Sequence, residues 1–215
     1  MENIRALGIG NAASYQINSS SGKKVEAKPF TYTAKRLIIA TSANSYKYFS
    51  VMGNHPIHKQ LGISPLLRIY AVYPKDHSTG RVWFADLPKI VTAGPLRYII
   101  PINPETGLIM ISYTDGKDTS YWESSRDDAE LEDKLSAQLQ KAFPTLTIPK
   151  PTFLKKHFWK DGATYWLPGN YNVKQAIKSA MNPRPNLYMC GESLSLSQAW
   201  IEGALESAES LLKIL

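Results

Sequence analysis

The sequence is poor in the residues that build redox frameworks and metal sites: it has one cysteine and four histidines. A single thiol excludes an internal disulfide framework and disfavours a zinc site. Cys190 ends the apolar run Leu187–Cys190 and reads as a buried, inert thiol. No ligand spacing surrounds His55, His58, His77 or His157, and Pro56 argues against a regular helix presenting the first two together. They read as solvated loop histidines, and no metal is expected. Nucleophile-elbow and Walker patterns are both missing. So is any apolar run of membrane-spanning length, or a signal peptide at the N-terminus. A soluble, cytoplasmic protein without membrane contact is therefore expected. Asn18-Ser19-Ser20 matches a glycosylation acceptor, which without a secretion signal reads as chance. The net charge is +7, but Lys and Arg are spread along the chain, and the cluster Lys155-Lys156-His157 sits in no nucleic-acid motif. A solvated basic surface is expected, with no nucleic-acid partner.

What is present is the composition of a folded protein, 43% hydrophobic and 20% charged over 215 residues, enough for one large domain or two small ones. GIGNAAS at residues 8–14 is a partial glycine-rich dinucleotide pattern. It lacks the apolar strand before and the helix after, and the residues that follow read as a hairpin turning at Ser-Ser-Gly. AKRLIIAT at 34–41 reads as a strand buried on both faces. Residues 52–64 read as loop with a short helix, and LLRIYAVY at 66–73 as a strand with Arg68 embedded in it. Further strands are expected at 81–85, 97–102 and 107–113, the last ending at the turn Asp115-Gly116. Their short connections point to an antiparallel or mixed sheet.

Residues 127–143 form the clearest mid-chain helix: acids in the first turns, Lys141 in the last, an apolar stripe of Leu131, Leu135, Leu139 and Ala142, and Pro144 as a stop. A short strand at 153–158, a structured loop at 159–169 and a helix at 172–181 follow. In residues 186–215 an apolar strand runs through Gly191-Glu192 and a serine-rich connection into a terminal helix. That is the local architecture with which proteins hold an anionic or polar cofactor edge. Ser195 or Ser197 is the expected cap. Trp200, Ile201, Ala204, Leu205, Ala208, Leu211, Leu212 and Leu215 lie on one side, the expected core face. Gly203 costs about 1 kcal/mol of helix propensity relative to alanine, a penalty tolerated where something approaches the backbone closely.

LYMCGES followed by QAWIEGALESAESLL resembles the C-terminal signature of the flavin-containing amine oxidases, the monoamine and polyamine oxidases and their relatives. AKRLIIATSANSY is similar to the strand preceding that family's flavin-proximal segment, without its proline. PLLRIYAVYP resembles the strand bearing its lysine, and WKDGATYWLPG its cavity-lining Trp-to-Pro-Gly loop. The resemblance implies an α+β (mixed α/β) fold: a partial FAD-binding subdomain at 1–50 and 159–215, and an antiparallel or mixed-sheet substrate subdomain at 51–158. It implies non-covalent FAD near Ala40, Thr41, Trp159, Gly191, Glu192, Trp200, Ile201 and Glu202. It also implies a small amine substrate near Tyr165 and Trp200, and Arg68 at the position of the catalytic lysine. The departures are specific. The family's N-terminal phosphate-binding βαβ unit is missing, and GIGNAAS does not replace it. Arg68 stays charged where lysine titrates. Gly162 falls at the second wall of the aromatic cage, with Tyr165 as its substitute, and Asp161 stands nearest the covalent-flavin cysteine of some members. Two readings follow: an oxidase segment completed by an N-terminal-half chain or a homo-oligomer, and a catalytically inactive remnant serving as a structural or interaction module.

Overall fold

The computed structural model describes residues 4–7, 15–17, 24–26 and 31–215. The strands are β1 (Ile4–Leu7), β2 (Tyr15–Ile17), β3 (Lys24–Glu26), β4 (Thr31–Ala34), β5 (Leu37–Ala40), β6 (Leu61–Val72), β7 (Ile90–Val91), β8 (Tyr98–Asn103), β9 (Leu108–Asp115), β10 (Phe153–Trp166) and β11 (Leu187–Cys190). The α-helices are α1 (Thr119–Glu123), α2 (Asp128–Ala142), α3 (Val173–Met181) and α4 (Ile201–Leu212). The chain divides into two units, residues 1–63 with 164–215, and residues 64–163.

The 64–163 unit is built on a sheet ordered β10-β6-β9-β8-β7, with antiparallel β6/β9, β9/β8 and β8/β7 pairs. Period-2 alternation sends Leu67, Ile69, Ala71 and Tyr73 of the β6 segment into the core and leaves Arg68 and Tyr70 on the opposite face. Ile109 and Ile111 of β9 join them, covered by Trp122 of α1 and by Leu131, Leu135 and Leu139 of α2. The three leucines are the helical stripe read from the sequence, and burying each is worth roughly 1.5–3 kcal/mol. Asp127 caps α2 by accepting from the Glu130 N–H at 2.8 Å. Lys156, part of the basic cluster, is structural: its ammonium donates to the carbonyls of Trp122 (2.9 Å) and Ser125 (3.1 Å) where α1 ends.

Three expectations for this region change. Residues 81–85 are consecutive turns, not a strand (Ala85 N–H to Val82 O, Leu87 N–H to Phe84 O). Val82 and Phe84 are both buried, so a turn satisfies the alternation that suggested a strand. The strand expected from residue 66 begins at Leu61. β10 does not stop at 158 but continues through the presumed aromatic loop to Trp166. Gly162 marks close strand packing there: a Cβ on it would lie 2.3 Å from Cβ of Leu66.

In the other unit β5 and β11 pair in parallel, and β2 pairs with β3 antiparallel in the register of the expected hairpin (Tyr15↔Glu26). The hairpin's turn and the GIGNAAS segment lie outside the described residues. The core joins Ile39, Tyr46, Met52, Ile57, Leu187, Met189, Leu194 and Leu211. β5 is not buried on both faces, since Ile39 alone is fully covered and Ile38 is 47% exposed. The terminal helix buries Leu211 of the expected stripe but turns much of the rest outward. Gly203, Ser207 and Leu211 are buried, whereas Ile201, Ala204, Leu205 and Leu212 face outward. Small residues win the inner face because the chain before the helix packs directly against its backbone. Neither Ser195 nor Ser197 caps α4: the helix starts at Ile201, and the Ser195 hydroxyl instead donates to Glu192 O at 2.7 Å.

Candidate functional site

β5 and β11 end level, with Ala40 opposite Cys190, so Thr41 and Gly191 emerge side by side. Gly191 has φ +144°, a conformation side-chain-bearing residues rarely adopt, and a Cβ there would lie 3.3 Å from Thr41 O. Its N–H donates to Ser207 Oγ of α4 at 3.1 Å. The turn Glu192–Leu194 follows. The Glu192 carboxylate accepts from the Thr164 hydroxyl at 2.9 and 2.8 Å through its two oxygens, and from the Ala199 N–H at 2.9 Å. The last contact holds Ala199 in a left-handed conformation, φ +67°. Beneath, the Tyr46 and Ser193 hydroxyls share a 2.7 Å hydrogen bond, and burial pushes the Tyr46 pKa up to about 12.

Trp200 occupies the cap position of α4 in extended conformation, with no side-chain cap. Among the described residues the first-turn N–H groups of Ile201 and Glu202, at the positive end of the helix dipole, have no capping side chain. Trp200 is 69% and Ile201 77% exposed, and Glu202 is exposed beside them. Gly203 is what lets the connection before the helix pack on the helix backbone: a Cβ on it would meet Ser197 O at 2.1 Å and Ser195 Oγ at 2.5 Å. The close approach anticipated at this glycine is thus made by the protein's own chain.

Ala40, Thr41, Gly191, Glu192, Trp200, Ile201 and Glu202 all belong to the first unit, as does Tyr165, whose ring packs over Gly62. Arg68 and Trp159 belong to the 64–163 unit. There the Arg68 guanidinium carbon lies 4.9 Å from the Tyr113 ring centre and 5.8 Å from that of Trp159. Burial opposes the Arg68 charge, but the Tyr70 and Tyr113 hydroxyls outweigh it and raise its pKa above the ordinary guanidinium value. Its Nε is buried with no hydrogen-bond partner among the described residues.

Sequence reasoning missed Thr164, Ser207 and Tyr113, since hydroxyls carry no motif until the fold brings them to a carboxylate, an N–H or a cation. It also read the histidines too simply. His55 is half-buried: its Nδ1 accepts from Ile57 N–H (3.2 Å), so in the neutral ring Nε2 bears the proton and donates to Ser179 Oγ (3.1 Å). That tautomer cannot act as a base toward Ser179. Cys190 is half-buried rather than buried, and desolvation raises its thiol pKa. Among the described residues no three His, Cys, Asp or Glu side chains gather as metal ligands, and no helix is long and apolar enough to cross a membrane.

Residues 11–210 match the family described as flavin containing amine oxidoreductase. The chain belongs to that family. Among curated proteins, Aplysianin-A of Aplysia kurodai is 28% identical over 132 residues, covering 49% of this chain and 24% of its own. An uncharacterised protein of Acanthamoeba polyphaga mimivirus is 30% identical over 56 residues, covering 26% of this chain and 11% of its own. In fold the chain is similar to the cyclohexylamine oxidase of Brevibacterium oxydans, with a TM-score of 0.64 at 15% identity, covering 89% of this chain and 44% of that one. The match to the curated relatives thus spans a quarter or less of their length. As a member of the amine oxidoreductase family, the chain is implied to work with a flavin. The uncapped α4 N-terminus, offering two backbone donors beside the level ends of a parallel strand pair, fits one polar edge of such a group. The Gly191 N–H and the Glu192 carboxylate are already engaged within the chain.

Proposed function

We propose that this chain is a segment of an FAD-dependent amine oxidase, and that polypeptide beyond this sequence completes it. The observation carrying the proposal is the arrangement of level β5 and β11 ends beside the uncapped start of α4, in a chain whose family match runs from residue 11 to 210. In this reading residues 1–50 and 159–215 form part of the FAD-binding subdomain and residues 51–158 the substrate subdomain. The completing part is an N-terminal-half chain carrying the phosphate loop, or a second copy of this chain. Parallel strands are ordinarily covered on both faces, and here Ile38 of β5 and Ile201, Leu205 and Leu212 of α4 remain outside.

FAD, when bound, supplies the acceptor for a hydride from the carbon bearing the amine, with O₂ as the final oxidant. The chain's own contributions are narrower. The Ile201 and Glu202 N–H groups offer fixed donors to developing negative charge on the flavin edge, an arrangement already organised before reaction. Gly191 and Glu192 tie the helix to the strand end through Ser207 Oγ and the Ala199 N–H, and Ala40 and Thr41 flank them on β5 and just beyond it. Within the first unit Tyr165 and Trp200 present exposed aromatic side chains, the residues this reading assigns to the amine. Arg68 holds a permanent positive charge and moves no proton at neutral pH.

A second reading is supported by the same contacts. Because the Gly191 N–H and the Glu192 carboxylate are satisfied internally, the element stands without a cofactor, as an inactive remnant kept for protein contact would. The test is to add FAD to the chain alone and to the chain mixed with a dinucleotide-binding half from a family member, then pass each through gel filtration. Flavin absorbance travelling with the protein in either sample supports the enzyme reading. Colourless protein in both, with the two halves nevertheless co-eluting, leaves the interaction module.

A further inference from the structure

In the first unit the short 3₁₀ helix Pro56–Lys59 packs against α3, and His55 stands at the junction. Its ring uses both nitrogens. Nδ1 accepts from the Ile57 N–H at 3.2 Å and so caps the short helix, while Nε2 donates to Ser179 Oγ of α3 at 3.1 Å. Only the neutral imidazole can do both, because the protonated ring has no acceptor left. What the junction holds down is buried: Ile57 is fully covered in the unit's core, and so is Ala180, next to Ser179. Ile57 and His58 also wall a cavity of about 190 Å³ with Ala43, Lys47, Leu61 and Ile63. The charges here are all of one sign. The short helix carries His58 and Lys59, α3 carries Lys174 and Lys178, and Lys47 lines the cavity. No Asp or Glu occurs in residues 27–75 or 162–191, so the segments that meet at His55 bring no carboxylate to balance an imidazolium.

We propose that His55 is a pH-operated latch: neutral, it fastens the Pro56–Lys59 helix to α3, and protonated, it lets that helix go. A proton taken from solvent at Nδ1 turns the acceptor into a donor that faces the Ile57 N–H. The cap is then lost and two donors oppose each other. Burial first, and then the neighbouring His58, hold the His55 pKa below its ordinary value of 6.5. The fastening is therefore whole above pH 6.5 and is lost as pH falls below it. Release frees Ile57 from the core and removes one wall of the cavity, which makes access to that cavity a function of pH. The latch stands on contacts within the first unit and is independent of the oxidase reading.

The test is amide hydrogen exchange of the full chain at pH 7 and pH 5, expressed as protection factors so that the intrinsic pH dependence of exchange drops out. Wild type is compared with His55→Asn, since asparagine caps a helix and donates through its amide but does not titrate. Protection at Ile57 is expected to fall roughly tenfold in wild type, the worth of one lost cap, and to hold steady in His55→Asn. Leu135, buried in the other unit, reports on the chain as a whole. Unchanged wild-type protection at Ile57 overturns the proposal. So does an equal fall in His55→Asn, which assigns the effect to another group, or an equal fall at Leu135, which makes it global unfolding. Should His55→Asn fail to fold, the wild-type ring decides. A midpoint of protection loss at Ile57 that coincides with the titration of the His55 ring nitrogen resonances supports the latch, and two separate midpoints overturn it.

Discussion

Gly203→Ala is the sharpest probe of the α4 start, because two effects of known size oppose each other. In an isolated helix the change stabilises by about 1 kcal/mol. Here the new methyl would sit 2.1 Å from Ser197 O and 2.8 Å from Ser197 C. Both are backbone atoms of a segment pinned by the Ser195 hydroxyl on Glu192 O and by Ala199 N–H on Glu192. Overpacking typically costs 1–3 kcal/mol, and backbone gives way less readily than a side chain. The net expectation is a loss of roughly 1–2 kcal/mol. With a urea slope of about 2 kcal/mol per molar, the middle of the usual range, the midpoint drops by about half a molar to one molar. The measurement is urea unfolding followed by circular dichroism, with the exposed Glu202→Ala as the control expected to change little. If Gly203→Ala were as stable as wild type, or more so, the packing of Ser195–Ser197 on the helix backbone would not exist in solution.

Other expectations can be checked with the same unfolding assay. Leu135→Ala, in the core between α2 and the sheet, costs about 2–5 kcal/mol. Gly162→Ala drives a methyl into Leu66 and costs about 1–3 kcal/mol by forcing β6 and β10 apart. Glu192→Gln loses a charged acceptor for Thr164 and the Ala199 N–H, costs about 1–3 kcal/mol, and increases hydrogen exchange at Ala199. Tyr46 gives a pH signature. Its folded pKa of about 12 exceeds the unfolded value of 10.0, so its contribution is present in full below pH 10 and is lost as pH rises from 10 to about 12. Over that window Tyr46 accounts for a loss of roughly 2–3 kcal/mol; the buried Tyr73 hydroxyl, whose pKa is also raised, adds to the same limb, so Tyr46→Phe makes it shallower without abolishing it.

Much of the architecture was legible because it obeys local rules. The Leu131, Leu135, Leu139 stripe behind Asp127 specified α2. The alternation of Leu67, Ile69 and Ala71 specified β6, and the letters from Leu187 to Leu215 carried the family. Patterns failed where two structures satisfy the same periodicity: Val82 and Phe84 are buried by a turn as well as by a strand. Glycine misled in residues 159–169, because it signals either a loop or a close backbone approach, and only the position of Leu66 beside Gly162 chooses between them.

The terminal helix shows the division most plainly. The amino-acid order alone determined that an amphipathic helix follows a strand and a Gly-Glu turn. Which face turns inward was a tertiary decision. Hydrophobicity favours Ile201, Leu205 and Leu212, but Gly191 N–H needs an acceptor and Ser197 O needs room. Only the Gly203–Ser207 face provides both, so the larger apolar side is left exposed.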